Sequence, residues 1–76
     1  MADHTLDAKG LNCPLPILKA RKALKDVPPG EILEVLSTDP GSVADFQAFC
    51  RQTGNELMES TTDDSVYRFL IKRSAA

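Results

Sequence analysis

Four breaks divide the 76-residue chain and restrict what it can fold into. Gly10 and Pro14 bracket the first. Pro28-Pro29-Gly30, Asp39-Pro40-Gly41-Ser42 and Asp63-Asp64-Ser65 make the others. Proline lacks the backbone N–H and glycine favours turns, so neither a helix nor a central strand runs through such clusters. The pieces between breaks therefore hold short elements, one each except where Gly54 splits the stretch from Val43 to Thr62 into two, and the type of each follows from the spacing of its apolar residues. Thr5–Ala8 reads as a strand. From Pro14 to about Asp26, Ile17, Ala20, Leu24 and Val27 repeat at a helical period and form a core face, with Lys19, Lys22 and Lys25 opposite and Arg21 at the flank. Glu31–Ser37 is β-branched and apolar, with Leu33 and Val35 sharing a face. A second helix is expected to start with Asp39 as N-cap and Pro40 at the first helical position. Its stripe is Val43, Phe46, Phe49 or Cys50, and Thr53, and Gly54 ends it. Asn55–Thr62 and Val66–Arg73 form a hairpin. Tyr67, Phe69 and Ile71 alternate there with Arg68 and Lys72, and Leu70 interrupts the pattern.

The order β-α-β-α-β-β, with right-handed crossovers, predicts an α/β two-layer sandwich. A four-stranded mixed sheet carries two helices on one face, as one domain over residues 1–76. Glu34, Arg68 and Lys72 would keep the outer sheet face partly polar. Apolar residues at 42% and charged residues at 26% fit a globular chain and argue against disorder. The longest apolar runs, Ala48–Cys50 and Phe69–Ile71, are far too short for a membrane span. Met1-Ala2-Asp3-His4 has neither the basic nor the apolar region of a secretory signal. The expected compartment is the cytoplasm, where thiols stay reduced.

The cysteine and histidine inventory is Cys13, Cys50 and His4. That is too few for a disulfide scaffold or a four-ligand structural zinc site, so neither a metal nor a cofactor is expected. A Cys-His or Ser-His-Asp arrangement would have to use His4, which reads instead as a surface residue near the terminus. Net charge is only −2, but it is segregated. Lys9, Lys19, Arg21, Lys22 and Lys25 occur without an acid between residues 9 and 25, while residues 26–66 hold nine acids and only Arg51 as a base. A basic face on a weakly acidic chain suits an acidic protein surface. Direct nucleic-acid binding, which favours a basic domain with stacking aromatics, is not expected from four aromatic residues.

Cys13 is the candidate reactive group. It follows a strand and directly precedes a helix opening with Pro14. The unsatisfied N–H groups and partial positive charge of a helix start favour a thiolate, with Lys9 and the basic helix side adding to this. Pro14 and Pro16 fix φ and pre-set the opening turn, and Gly10 shapes the loop before it. Leu15 and Leu18 fall off the core stripe beside the basic side chains, as a docking surface would require. Cys50 lies on the apolar stripe of the second helix and reads as core. Asp39 reads as a cap. Asp7 has no assigned partner.

Leu6-Asp7-x-x-Gly10-x-x-Cys13-Pro14-x-Pro16 followed by a basic helix resembles the TusA (SirA-like) family of small sulfur-carrier proteins. The resemblance continues through Pro29-Gly30-Glu31, Asp39-Pro40, Asp45 and Phe49-Cys50 into Tyr67-Arg68-Phe69. It implies a two-layer α/β fold related in shape to the C-terminal domain of translation initiation factor three. It also implies that Cys13 takes a sulfane sulfur as a persulfide from a donor protein, a cysteine desulfurase or a rhodanese. The sulfur then goes to an acceptor relay protein, in tRNA 2-thiolation, molybdenum cofactor synthesis or dissimilatory sulfur oxidation. Leu15 stands where some members have an acid, which changes the charge beside the sulfur.

The absence of Cys-x-x-Cys suits a carrier, because a neighbouring thiol would attack the persulfide and form a disulfide. The leading reading is a sulfurtransferase with Cys13 as nucleophile and Leu15, Leu18, Lys19, Arg21, Lys22 and Lys25 as partner-docking residues. The alternative is a non-catalytic RNA- or protein-binding regulatory module using the basic first helix. A third reading, a redox pair of Cys13 and Cys50, requires the two sulfurs to meet.

Overall fold

The computed structural model describes residues 3–74. Met1 and Ala2 of the signal-peptide reading, and the outer limits of the 1–76 domain, lie outside the described residues. The strands are β1 (His4–Ala8), β2 (Ile32–Ser37), β3 (Glu56–Asp63) and β4 (Val66–Lys72). The helices are α1 (Leu15–Leu24) and α2 (Ser42–Thr53). The sheet order is β1-β2-β4-β3, with β1 parallel to β2 and β4 antiparallel to both its neighbours. β3 is thus parallel to β2. Both crossovers, β1-α1-β2 and β2-α2-β3, step across the sheet in the same direction, and right-handed connections then put both helices on one face.

The core lies between that face and the helices. Leu33, Val35, Phe69 and Ile71 rise from the sheet to meet Ala20, Leu24, Phe46, Phe49 and Cys50. The register explains the alternation: Leu33 pairs with Ile71 and Val35 with Phe69, so their side chains share the inner face. Phe46 stacks on Phe69 with centroids 4.6 Å apart and meets Phe49 edge-on at 6.4 Å. Leu70 belongs to the outer face, paired with Glu34 and Glu59, and is still only 8% exposed. On that face Arg68 is bonded to Glu34 and to Glu59.

Several boundaries differ from the sequence expectation. Regular α1 stops at Leu24, but successive turns carry the chain on, and Val27 is buried as the stripe predicts. α2 starts at Ser42 with Gly41 as its cap, two residues after the expected Pro40 start. Asp39 does not cap the helix: its carboxylate accepts the N–H of Gly41 in a tight turn and reaches elsewhere with its second oxygen. Thr53 is exposed rather than part of the stripe, its hydroxyl donating to the carbonyl of Phe49. Gly54 ends the helix at φ +79°, a conformation that penalises other residues. Asp64 and Ser65, both at positive φ, make the two-residue hairpin turn that matches strand twist. His4 is not free at the surface: its Nε2 lies 2.8 Å from Glu31 Oε1, across the β1–β2 pair.

Candidate functional site

Because β1 and β2 are parallel neighbours, their carboxyl ends lie side by side, and the loops into α1 and α2 open at the same edge of the sheet. Open α/β sheets place ligand sites at such edges. Cys13 lies in the first loop, joined to Pro14 by a cis peptide bond, and is exposed. Its N–H donates to Asp39 Oδ2 at 2.7 Å. The Asp39 carboxylate therefore bonds to Gly41 on its own loop and to Cys13 on the other. A second tie runs from the Gly10 N–H to Thr38 Oγ1 at 2.9 Å. Gly10 is at φ +82°, which glycine adopts without the penalty a Cβ would bring. Below the loop, the buried hydroxyls of Ser37 and Ser42 bond at 2.6 Å, joining the end of β2 to the start of α2. Ser37 Oγ also accepts the Asp39 N–H at 3.2 Å.

The Cys13 thiol donates from Sγ to Asp45 Oδ2 at 2.8 Å, in the first turn of α2. This overturns the expected thiolate. A carboxylate accepting the S–H stabilises the neutral form, and the thiol is pushed above its ordinary value. The Asp45 hydrogen bond is the main cause, followed by partial loss of water and then by the charges of Asp45 and Asp39. Lys9 does not assist the sulfur either. Its ammonium lies 3.1 Å from Asp7 Oδ1, and its N–H donates to the same oxygen. Asp7, unassigned from sequence, is thereby held below the usual carboxylate range, the Lys9 N–H being the larger cause. Cys50 is buried among the core residues, and burial pushes its thiol up to about 11.

Cys13 heads a groove of about 190 Å³ between the helices. Pro14, Ile17 and Arg21 form its α1 wall, and Asp45, Ala48, Phe49 and Gln52 its α2 wall. The Arg21 guanidinium lies over the Phe49 ring at 5.4 Å, a cation–π contact. A further hollow of about 220 Å³ continues from Arg21 and Phe49 to Lys25, Asn55 and Arg73. Of the other sequence candidates, Leu15 and Leu18 are 46% and 52% exposed on α1, and Lys19, Lys22 and Lys25 are exposed along the same helical segment. Pro16 points inward and is fully buried, so it anchors the helix start to the core and does not touch a partner. Among the described residues no group of three or more His, Cys, Asp or Glu is placed to hold a metal ion, and no helix is long and apolar enough to cross a membrane. Sequence reasoning misses Asp39 and Asp45 as groups that bond to Cys13. The signal for both is the parallel β1–β2 pair, which brings the starts of α1 and α2 together.

A small two-layer domain thus presents one accessible thiol, Cys13, at the mouth of an interhelical groove and keeps the other, Cys50, in its core. The family model described as sulfurtransferase TusA matches residues 4–73, and the chain belongs to that family. It is 60% identical over 72 residues to the sulfur carrier protein TusA of Allochromatium vinosum, covering 95% of each chain. A putative sulfur carrier protein of Neisseria meningitidis serogroup A is 49% identical over 72 residues, covering 95% of this chain and 97% of the relative. The crystal structure of a SirA-like protein from Desulfitobacterium hafniense superposes with a TM-score of 0.81 at 27% identity, covering 93% of this chain and 97% of that one. The chain is a sulfur carrier of this family.

Proposed function

We propose that the chain is a sulfurtransferase carrying its cargo as a persulfide on Cys13. The observation that supports this most is the contrast between the two thiols: Cys13 is exposed at the groove mouth and Cys50 is sealed in the core. Loading is thiol attack on a sulfane sulfur. Cys13 loses its proton, its sulfur bonds to the outer sulfur of a donor persulfide, the donor S–S bond breaks, and the donor thiol leaves with its own electron pair. Unloading is the same reaction in reverse sense, with an acceptor cysteine attacking the outer sulfur and Cys13 as the leaving group. No oxidant or reductant is consumed, so neither step calls for a resident cofactor.

Gly10, Pro14 and Pro16 shape the loop that holds the sulfur. Leu15, Leu18, Lys19, Arg21, Lys22 and Lys25 form the docking surface, with apolar contact nearest the sulfur and cations further along α1 to steer an acidic partner. The donor is a cysteine desulfurase or rhodanese and the acceptor a relay protein, acting in the cytoplasm. The same carrier chemistry serves tRNA 2-thiolation, molybdenum cofactor synthesis and sulfur oxidation, since each takes the same group from the same atom. The test is transfer of radiolabelled sulfur from cysteine through a cysteine desulfurase onto the chain. Label that reductant releases, and that an added acceptor protein's thiol removes, supports the proposal. Label absent from the wild type with an active desulfurase and an active rhodanese, while RNA binds in a salt-sensitive manner, would favour the regulatory-module reading.

A further inference from the structure

Persulfide chemistry at Cys13, the reading on which the inference depends, requires negative charge on Sγ in both directions: as attacking thiolate during loading and as departing thiolate during unloading. Yet the groups around that sulfur are acidic. Asp45 Oδ2 accepts the S–H at 2.8 Å, and Asp39 Oδ2 accepts the N–H of the same residue at 2.7 Å. The cation on the groove wall, Arg21, is stacked over Phe49, and Lys9 is paired with Asp7. A helix start that would otherwise favour a thiolate is thus countered by a carboxylate in the first turn of the neighbouring helix. We propose that Asp45 is a charge gate on Cys13, keeping the sulfur protonated until a partner's Arg or Lys side chain pairs with the Asp45 carboxylate at the groove mouth.

The consequence for the carrier is selectivity. Alone, it presents a thiol, which is a poor nucleophile toward stray disulfides and electrophiles. Once loaded, Sγ has lost its proton and the bond to Asp45, and leaving as a thiolate beside that carboxylate is unfavourable, so the outer sulfur stays in place. A partner that brings a cation against Asp45 removes the obstacle at either step. The raised thiol value at Cys13 agrees with this arrangement. The gate needs no oxidant and moves one proton, from Sγ to solvent or to the leaving thiolate.

The test uses the thiol itself, so its result does not depend on whether the chain carries sulfur. The pH dependence of iodoacetamide alkylation at Cys13 is measured for the full chain, for Asp45→Asn and for Asp45→Glu, with far-UV circular dichroism confirming the fold of each. The gate predicts that Asp45→Asn moves the alkylation midpoint to lower pH. For each unit of movement the thiolate fraction at neutral pH rises about tenfold and intrinsic nucleophilicity falls about threefold, a net rate gain of about threefold. Asp45→Glu, which keeps the charge, restores the higher midpoint. For the partner cation, the probes are cystamine and the dianionic dithiodipropionate. Wild-type Cys13 exchanges several-fold faster with the cationic disulfide, and Asp45→Asn narrows that ratio. A slower or unchanged alkylation rate in Asp45→Asn, or an unaltered cystamine preference, would overturn the gate. The first of these would make Asp45 an activating base or a structural residue.

Discussion

Removing a hydroxyl from the Ser37–Ser42 pair tests whether the two loops at the sulfur are set from below. Both residues are buried, at 0% and 1% exposure, and their hydroxyls bond at 2.6 Å where β2 ends and α2 begins. A buried polar group left without a partner costs about 1–3 kcal/mol. In Ser42→Ala, Ser37 Oγ keeps the Asp39 N–H as a donor, so the expected loss is about 1 kcal/mol. Ser37→Ala strands two groups, the Ser42 hydroxyl and the Asp39 N–H, with an expected loss of about 2–3 kcal/mol. The double variant removes the stranded Ser42 hydroxyl, so adding Ser42→Ala to Ser37→Ala is neutral or stabilising. The coupling is then about 1–2 kcal/mol. In a domain of this length each kcal/mol moves Tm by about 4–8 °C, which makes the cycle measurable by urea or thermal unfolding. If Ser42→Ala cost the same in both backgrounds, to within the additivity error of about 0.5 kcal/mol, the hydroxyls would not be a paired unit and the reasoning fails.

Three other outcomes are expected. Phe46→Ala removes a fully buried ring stacked on Phe69 and should cost about 3–5 kcal/mol in urea unfolding, enough to unfold much of a small domain. Cys50, its thiol pushed up to about 11 by burial, should resist iodoacetamide at pH 7.5 while Cys13 is modified, and should become labelled only in denaturant, as peptide mass mapping would read. Asp7 is held below the usual carboxylate range by Lys9, so its contribution to stability is present above the ordinary carboxylate value and is lost as pH falls through the lowered one. Asp7→Asn should therefore lose less stability than the wild type between pH 5 and pH 2.5 in urea titrations.

The element order, the sheet and the one-sided helices are legible because proline and glycine clusters cut the chain cleanly and each piece keeps one apolar period. Ile17, Ala20, Leu24 and Val27 make the expected inner face of the first helical segment, although the last falls in turns beyond α1. The misplaced features are short-range choices decided by tertiary partners. Asp39 has the chemistry of a cap, but its carboxylate finds the Cys13 N–H across the sheet edge, and the helix begins two residues later. The protonation preference of Cys13 comes out of the sequence with the wrong sign for the same reason. Position at a helix start argues for a thiolate, and only the fold reveals Asp45, 32 residues away, as the acceptor of its S–H. Local sequence reports backbone preference well; electrostatics at a site depend on what the topology brings beside it.

The most direct test of the carrier account is the intact mass of the reduced protein after exposure to inorganic polysulfide, measured without reductant for the wild type, Cys13→Ser and Cys50→Ser. The account predicts the gain of one sulfur atom, reversed by reductant, in the wild type and Cys50→Ser, and none in Cys13→Ser. A folded Cys13→Ser variant that still gains the sulfur, or an equal loss in both folded variants, would contradict it.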